Sequence, residues 1–202
     1  MAVSTKGEQT REAVLAEALA QSSQVGLRGI TIGGLAESMG MSKSGLFAHF
    51  GSKEGLQSAV VDYAADHFAT LVVRPALKAP RGEPRLRLLF ERWLGWGGYA
   101  DYALPGGCIF VAMASEFDDA PDGPVRQKVV QTERDLLDSI ETMVRGGVRE
   151  GQFRKDVDAE AFAQDMMAIV LGHNFAGRLL RDEKSVSRAN AAFDRLLDHI
   201  RA

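Results

Sequence analysis

Residues 31–56 read TIGGLAESMGMSKSGLFAHFGSKEGL, and this stretch decides the fold of the chain. Its spacing predicts two short helices joined by a tight turn, with a third helix starting directly after them. Thr31 and Ser42 stand where helix N-caps are preferred, because their hydroxyls can accept a hydrogen bond from a backbone N–H of the first turn. Gly40 lies between the two helices, where a sharp turn needs a residue that tolerates a positive φ. These features predict a helix-turn-helix, whose second helix enters the major groove of DNA.

The predicted second helix has the chemistry of a surface that approaches DNA. No acidic residue occurs between Met39 and Ser52, while Lys43 is basic and His49 can become so. Hydroxyl and ammonium groups bond phosphate oxygens or base edges, and an alanine or an aromatic edge can meet a thymine methyl. We therefore expect nine residues to form the DNA contact: Thr31, Ser42, Lys43, Ser44, Gly45, Phe47, Ala48, His49 and Lys53.

Four short motifs in this region keep a spacing that resembles a known pattern. They are Leu35-Ala36, Gly40-Met41-Ser42, Leu46-Phe47-Ala48-His49-Phe50 and Ser52-Lys53-Glu54-Gly55-Leu56. Together they resemble the DNA-binding signature of TetR/AcrR-type bacterial transcriptional regulators, over about residues 10–56. The resemblance implies a homodimer that binds a pseudo-palindromic operator in double-stranded DNA, a small-molecule effector, and an all-α architecture. The alternative is a helical hairpin of an unrelated all-α protein that shares only the small and apolar spacing.

Two positions depart from the family pattern. Phe47 stands where the family usually has Tyr, so the phosphate hydrogen bond often made by that hydroxyl cannot form. Gly33-Gly34 stands where side chains of the first helix usually reach the DNA backbone, and each glycine weakens a helix by about 1 kcal/mol relative to Ala. Both departures favour a rival function, a helical ligand-binding or protein-interaction module that no longer reads DNA.

Composition limits the class of protein. The chain has 202 residues and a net charge of −3, and residues 1–56 carry five basic and five acidic side chains, so DNA binding must depend on a local basic face. Cys108 is the only cysteine, which excludes an intrachain disulfide and suits a reducing cytoplasm. The N-terminus lacks the apolar run of a signal peptide, and no apolar stretch approaches a membrane span. We expect a cytoplasmic protein with no membrane partner.

The remaining pattern predicts an all-α fold of about nine helices, since no segment alternates as a strand does. We expect a helix-turn-helix DNA-binding domain over residues 1–56 and a helical effector-binding and dimerisation domain over residues 57–202. Predicted caps are Thr10 for the first helix, Asp158 for the penultimate helix and Ser185 or Ser187 for the last.

The last two predicted helices are apolar on more than one side. A helix that is apolar all round is buried, and a self-complementary pair of such helices can form a four-helix bundle across a two-fold axis. The predicted dimer interface consists of Phe162, Ile169, Phe175, Ala189, Phe193, Leu196, Leu197 and Ile200. The alternative is that both helices are buried inside the monomer.

Aromatic and methionine side chains of the body suggest an effector pocket, since apolar walls with a few orienting polar groups make a ligand site. The predicted lining is Trp93, Trp96, Tyr102, Phe110, Met113, Phe117, Met143, Met166, His173 and Asn174, and Glu116 is expected to face inward with them. The alternative is that these residues are ordinary core, and His173 on an apolar helix fits that alternative well.

Catalysis has little support in the sequence. Cys108 lies at a predicted helix start, which lowers a thiol pKa, but nothing places a histidine beside it. No His, Cys and Asp group has metal-ligand spacing, and Gly106-Gly107 lacks the following Lys-Ser/Thr of a phosphate-binding loop. We expect no enzyme activity, no catalytic residue, no metal and no cofactor. The sequence favours a ligand-responsive repressor that a small, largely apolar effector releases from DNA.

Overall fold

A computed structural model describes residues 6–202, and this part of the chain is all-α, which confirms the predicted fold class. Within these residues there are nine helices when two π-helical turns are counted with the helices they continue. They are α1 Lys6–Val25, α2 Ile32–Ser38, α3 Lys43–Phe50, α4 Lys53–Phe68 with its π turn Ala69–Val73 and last turn Arg74–Lys78, α5 Glu83–Trp96, α6 Ile109–Phe117, α7 Pro124–Arg149, α8 Ala159–Asn174 with its π turn Phe175–Leu179, and α9 Ser185–Ile200.

Polar caps determine where several helices begin. The Gly34 backbone N–H donates to the Thr31 hydroxyl at 3.0 Å, and the Gly45 N–H donates to the Ser42 hydroxyl at 3.1 Å. Asp158 caps α8 by accepting from two backbone N–H groups, as predicted. Gly40 has a φ of +64°, which confirms the tight turn between α2 and α3.

Two predicted caps were wrong. Thr10 lies inside α1, where its hydroxyl donates to the carbonyl of Lys6 at 2.9 Å. Lys184 is the N-cap of α9, and no side chain caps that helix. Ser185 is instead its first, buried residue.

The described chain divides into two compact units. One comprises the residues up to 67 together with 104–130, and the other comprises 68–103 and 131–202. These two units differ from the predicted domains, which divide after residue 56. In the structure, the first part of α4, all of α6 and the start of α7 group with the helix-turn-helix. Residues 1–5 of the predicted DNA-binding domain lie outside the described residues.

The core of the first unit contains the inward faces of α1, α2 and α3. Val14, Ala18, Leu35 and Leu46 are fully buried there. The guanidinium of Arg11 lies over the ring of Phe50, 4.8 Å from its centroid. These contacts hold α3 by one face and leave its other face in solvent.

Aromatic rings form the core of the second unit. Phe90 on α5 stacks on Phe193 of α9 with centroids 4.1 Å apart, and Phe162 of α8 meets Phe193 at 6.4 Å. At the C-terminal end of α5, Trp93 and Trp96 pack edge-on against Phe68, with ring centroids 5.7 and 5.5 Å apart. Both tryptophans are fully buried.

An ion-pair network joins the first turn of α5 to α9. Glu83 accepts from Arg201 at 2.6 Å and from Arg87 at 2.8 Å, and Arg87 also pairs with Asp194 at 2.7 Å. The hydrogen bond from Arg201 is the main cause that lowers the pKa of Glu83 to about 2. The Glu83 carboxylate therefore stays ionised well into acidic pH.

In the described part of the chain, no helix combines the length and apolar character needed to cross a membrane.

Candidate nucleic-acid interface

The outer face of α3 and the adjoining helix starts hold all nine predicted DNA-contact residues. Gly45 and His49 are half-buried, and the other seven are exposed: Thr31, Ser42, Lys43, Ser44, Phe47, Ala48 and Lys53. The ring of Phe47 is 54% exposed, which is unusual for a large apolar side chain. An exposed ring beside Ala48 provides apolar contact area without an acidic group nearby on the helix.

Gly33, one of the two glycines that depart from the family pattern, has a local steric role. A Cβ placed at Gly33 would lie 3.2 Å from Cε of Lys43 and 3.5 Å from its Nζ. The absence of a side chain at Gly33 therefore leaves room for the Lys43 side chain to cross α2. The sequence pattern indicated only a lost DNA contact at Gly33, because the packing against Lys43 depends on how α2 and α3 cross.

The predicted contacts include two hydroxyls that already have structural partners. Thr31 and Ser42 accept the capping hydrogen bonds of α2 and α3, and Ser42 Oγ lies 3.3 Å from Ser44 Oγ. A hydroxyl that accepts a cap bond still has its proton to donate. Both oxygens can therefore cap their helices and donate to a phosphate at the same time.

Lys53 is held at the edge of this face by its own unit. Its ammonium donates to the backbone carbonyl of Arg28 at 2.7 Å, which leaves two of its three N–H donors free. The turn that contains Arg28 is itself held by α6, since the Arg28 backbone N–H donates to Glu116 Oε2 at 3.2 Å. The Arg28 guanidinium also donates to the Glu116 carbonyl at 3.3 Å.

Glu116 therefore has a different role from the one predicted. It contacts the turn between α1 and α2, and a Cβ at Gly26 would lie only 1.5 Å from Glu116 Oε1. Gly26 has a φ of +81° as well, a backbone conformation that favours glycine, and the missing side chain leaves room for the Glu116 carboxylate. The Glu116–Arg28 contact joins α6 to the helix-turn-helix within one compact unit.

The ten predicted effector-pocket residues divide between the two compact units. Phe110, Met113 and Phe117 are buried in the first, and the other seven belong to the second: Trp93, Trp96, Tyr102, Met143, Met166, His173 and Asn174. Tyr102 donates to the carbonyl of Arg92 at 3.1 Å, and the Arg92 guanidinium lies 4.9 Å from its ring centroid. Tyr102 thus has a clear structural role, whereas pocket lining by this set stays a prediction.

Titratable side chains are among the buried polar groups of the second unit that lack a hydrogen-bond partner. His173 Nδ1 and Glu133 Oε1 are buried without a hydrogen-bond partner. Burial lowers the pKa of His173, and burial raises the pKa of Glu133 to about 7. The burial of Glu133 could not be predicted, because nothing in the sequence pattern of α7 shows which acidic residue is turned inward.

Most of the predicted dimer residues are buried within the single chain. Five of the eight are at most 5% exposed within the single chain, so they have almost no surface to offer a partner: Phe162, Ala189, Phe193, Leu197 and Ile200. They pack inward because α5 supplies the facing aromatic ring of Phe90. Ile169 and Leu196 are half-buried, and only Phe175 of the eight is exposed.

A different set of apolar side chains is exposed on α8. Leu171, Phe175 and Leu179 follow one another at four-residue spacing and are 41%, 56% and 70% exposed, and Leu180 is 60% exposed. Side chains at this spacing lie on one helix face. We define these four residues as the α8 stripe.

Across residues 6–202, no three His, Cys, Asp or Glu side chains are grouped as metal ligands would be. Cys108 is 4% exposed at the N-cap of α6.

Comparison with known proteins agrees with this geometry. A family model described as bacterial regulatory proteins, tetR family, matches residues 14–60. A second, described as tetracyclin repressor-like, C-terminal domain, matches residues 82–193, which is more than half of the chain. A search of curated protein sequences gave no match.

Solved structures with the same fold include three TetR-family or TetR transcriptional regulators. One from Chloroflexus aurantiacus J-10-FL is 26% identical with a TM-score of 0.83, and the alignment covers 97% of this chain and 98% of that one. One from Cytophaga hutchinsonii is 20% identical with a TM-score of 0.85, covering 100% and 99%. One from Agrobacterium tumefaciens is 21% identical with a TM-score of 0.80, covering 96% and 99%.

Proposed function

Since the chain belongs to the TetR family of DNA-binding bacterial transcriptional regulators, we propose that it is a homodimeric repressor that a small, largely apolar ligand releases from its operator. The family consists of transcription factors without enzyme activity. The observation that carries the proposal is the exposed, acid-free outer face of α3 with Phe47 at its centre. The protein would act in the cytoplasm, where its target DNA lies.

In this proposal α3 lies in the major groove and makes both kinds of contact. Lys43 and Lys53, near the starts of α3 and α4, neutralise phosphates and position the helix. Ser44, Ala48 and His49 face the base edges, and the Phe47 ring packs against thymine methyl groups. Thr31 and Ser42 donate their hydroxyl protons to phosphate oxygens while capping α2 and α3.

Dimerisation through the α8 stripe would place two copies of the helix-turn-helix on one operator. The stripe offers three large apolar side chains on one face of a helix, and a second copy of the same helix is complementary to it by symmetry. Two recognition helices must lie about 34 Å apart to enter successive major grooves. A ligand that changes this separation therefore weakens both contacts together.

The contact between Glu116 and Arg28 supports a route by which ligand binding would change the position of α2 and α3. α6 ends on the turn that precedes α2, and Lys53 at the start of α4 bonds the same turn. A displacement of α6 on ligand binding would thus act on both sides of the helix-turn-helix. We propose that this three-residue junction transmits ligand binding to α2 and α3.

A mobility-shift titration against the DNA upstream of the protein's own coding region tests the proposal. We expect a complex that forms at nanomolar to micromolar protein concentration and that weakens steeply with salt. Binding no tighter than to unrelated DNA of equal length would favour the rival function, a helical ligand-binding or protein-interaction module that no longer reads DNA.

A further inference from the structure

The second compact unit has an open groove between the last turns of α4 and the C-terminal half of α7. Its volume is about 380 Å³, which lies in the range of small-molecule sites. The lining consists of Val73, Leu77, Arg81, Arg85, Asp138, Ser139, Thr142, Met143, Gly146 and Arg149. Of these, Met143 alone belongs to the effector-pocket lining predicted from the sequence, so this groove is a separate candidate site.

The floor of the groove is apolar. Val73 and Leu77 stand one helical turn apart on α4, and Met143 on α7 completes the apolar surface. Leu77 is 47% exposed, so a large part of an apolar side chain faces solvent in the free protein. A ligand with an apolar body would remove this area from water, which is favourable by about 25 cal/mol per Å².

The groove is also positively charged, with three arginines against one acid among its lining residues. Arg85 already has hydrogen-bond partners within the chain, since its guanidinium donates to the carbonyls of Leu77 at 2.9 Å and Ala79 at 3.0 Å. Arg81 pairs with Glu150 at 3.3 Å, but both side chains are largely in solvent, where such a pair is weak.

Arg149 is the most available cation of the groove. Its guanidinium forms no ion pair or side-chain hydrogen bond within residues 6–202. The Nη2 atom lies 3.9 Å from the position of a Cβ at Gly146, which places the guanidinium along the groove wall. A carboxylate is a natural partner, because its two oxygens match the fork of the guanidinium N–H groups.

The two ends of the groove carry opposite charges. Asp138 and Arg149 are eleven residues apart on α7, which corresponds to about 16 Å along a helix. The pair between Arg81 and Glu150 places Arg81 at the Arg149 end. The groove therefore has two cations at one end, an apolar middle and a carboxylate at the other end.

We propose that this groove binds a linear organic anion, an aliphatic carboxylate of medium chain length, with its carboxylate between Arg81 and Arg149. The chain lies along Val73, Leu77 and Met143 and points toward Asp138. The opposite orientation is disfavoured because it would bring two carboxylates together. The role of such an anion as the effector rests on the proposed function, whereas its binding to the groove does not.

Isothermal titration of the full chain with decanoate tests the proposal. The ligand is kept below its micelle concentration, and decan-1-ol and decyltrimethylammonium serve as neutral and cationic molecules with the same chain. We expect one decanoate per chain, and we expect both matched molecules to bind at least about tenfold more weakly, because neither carries a negative charge or the two oxygens that accept from a guanidinium together.

Variants locate the binding to the groove. R149Q should weaken decanoate binding at least about tenfold and leave decan-1-ol binding within about twofold. R145Q is the matched control, because Arg145 is exposed one turn earlier, pairs with Glu141 at 2.6 Å and does not line the groove. G146L places a side chain in the groove and should weaken all three ligands, with circular dichroism to show that the protein is folded.

Equal affinity for decanoate and decan-1-ol, equal effects of R149Q and R145Q, or no decanoate binding at millimolar concentration would each overturn the proposal. A parallel mobility shift distinguishes this failure from failure of the proposed function. If the protein binds its own upstream DNA but does not bind decanoate, the groove assignment is wrong and the regulator stands. If decanoate binds through Arg149 and no specific DNA complex forms, the groove is confirmed and the repressor is wrong.

Discussion

Lys43 is the residue on which the proposed DNA contact depends most. It is exposed at the start of α3, and Gly33 leaves room for its side chain to cross α2. Lys43→Ala should weaken binding to specific and non-specific DNA alike and reduce the slope of log affinity against log salt by about one. Lys78→Ala, an exposed lysine of the second unit, should change neither. A salt slope identical to that of the unmodified protein would show that Lys43 does not contact phosphate.

Glu133 should make the stability of the protein depend on pH. Its carboxyl has a pKa of about 7 in the folded chain, because burial penalises the charged form, against an ordinary value of 4.5. The folded state therefore keeps a proton that the unfolded state releases, so the free energy of unfolding falls as pH rises from 4.5 to 7. The loss is on the order of 3 kcal/mol.

Glu133→Gln removes this titration and should make the protein more stable than the unmodified chain at pH 8, with little difference at pH 4.5. Urea unfolding of both proteins at the two pH values measures the effect, with Glu141→Gln as a control on the same helix. A difference between the two proteins that is the same at pH 4.5 and pH 8 would mean that Glu133 titrates normally.

At the level of elements, local chemistry was enough to predict α2 and α3. Thr31 and Ser42 each cap a backbone N–H only three residues further along the chain, and Gly40 makes the turn between the two helices. These contacts are local, so the sequence pattern is enough to predict where both helices begin. The partner of the apolar face of α9 could not be predicted in this way. Its buried residues Ala189, Phe193 and Leu197 lie on one face. Only the position of Phe90 on α5 shows that this face packs inside the chain and not against a second copy.

The α8 stripe carries the prediction about dimerisation. Leu179→Glu should give a monomer with nearly unchanged thermal stability, because residue 179 is 70% exposed in the single chain and the charge would be buried only in the dimer. Analytical ultracentrifugation at micromolar concentration measures the mass. Leu197→Glu is the contrasting variant, since residue 197 is fully buried and a charge there should unfold the chain itself. A Leu179→Glu protein that remains a dimer would place the interface elsewhere.

The junction between α6 and the α1–α2 turn makes a separate prediction. Glu116→Ala removes the acceptor of the Arg28 backbone N–H, so ligand binding should act less strongly on α2 and α3. We expect operator affinity of the free protein within a few-fold of the original and a clearly reduced ligand-induced release, measured by mobility shift. Glu116→Gln, which keeps a side-chain oxygen, should lie between the two. Unchanged release by the Glu116→Ala protein would exclude the junction as the route.

Across the whole molecule, the chain passes between its two compact units three times, after residues 67, 103 and 130. Two of these crossings fall inside helices, α4 and α7. Sequence patterns predicted the number and order of helices, because each helix is determined by its own periodicity and caps. They did not predict that α6 groups with the helix-turn-helix, because this depends on Glu116 and Gly26, which are 90 residues apart.

The central claim is that α3 of two copies reads one operator. DNase I footprinting on the DNA upstream of the protein's own coding region tests it most directly, with the Lys43→Ala and Leu179→Glu proteins beside the original. We predict one protected region with two half-sites about 10 base pairs apart, or a multiple of that spacing, weakened by Lys43→Ala and lost with the monomeric Leu179→Glu protein. Protection without two-fold symmetry, or a footprint that both variants leave unchanged, would contradict the account.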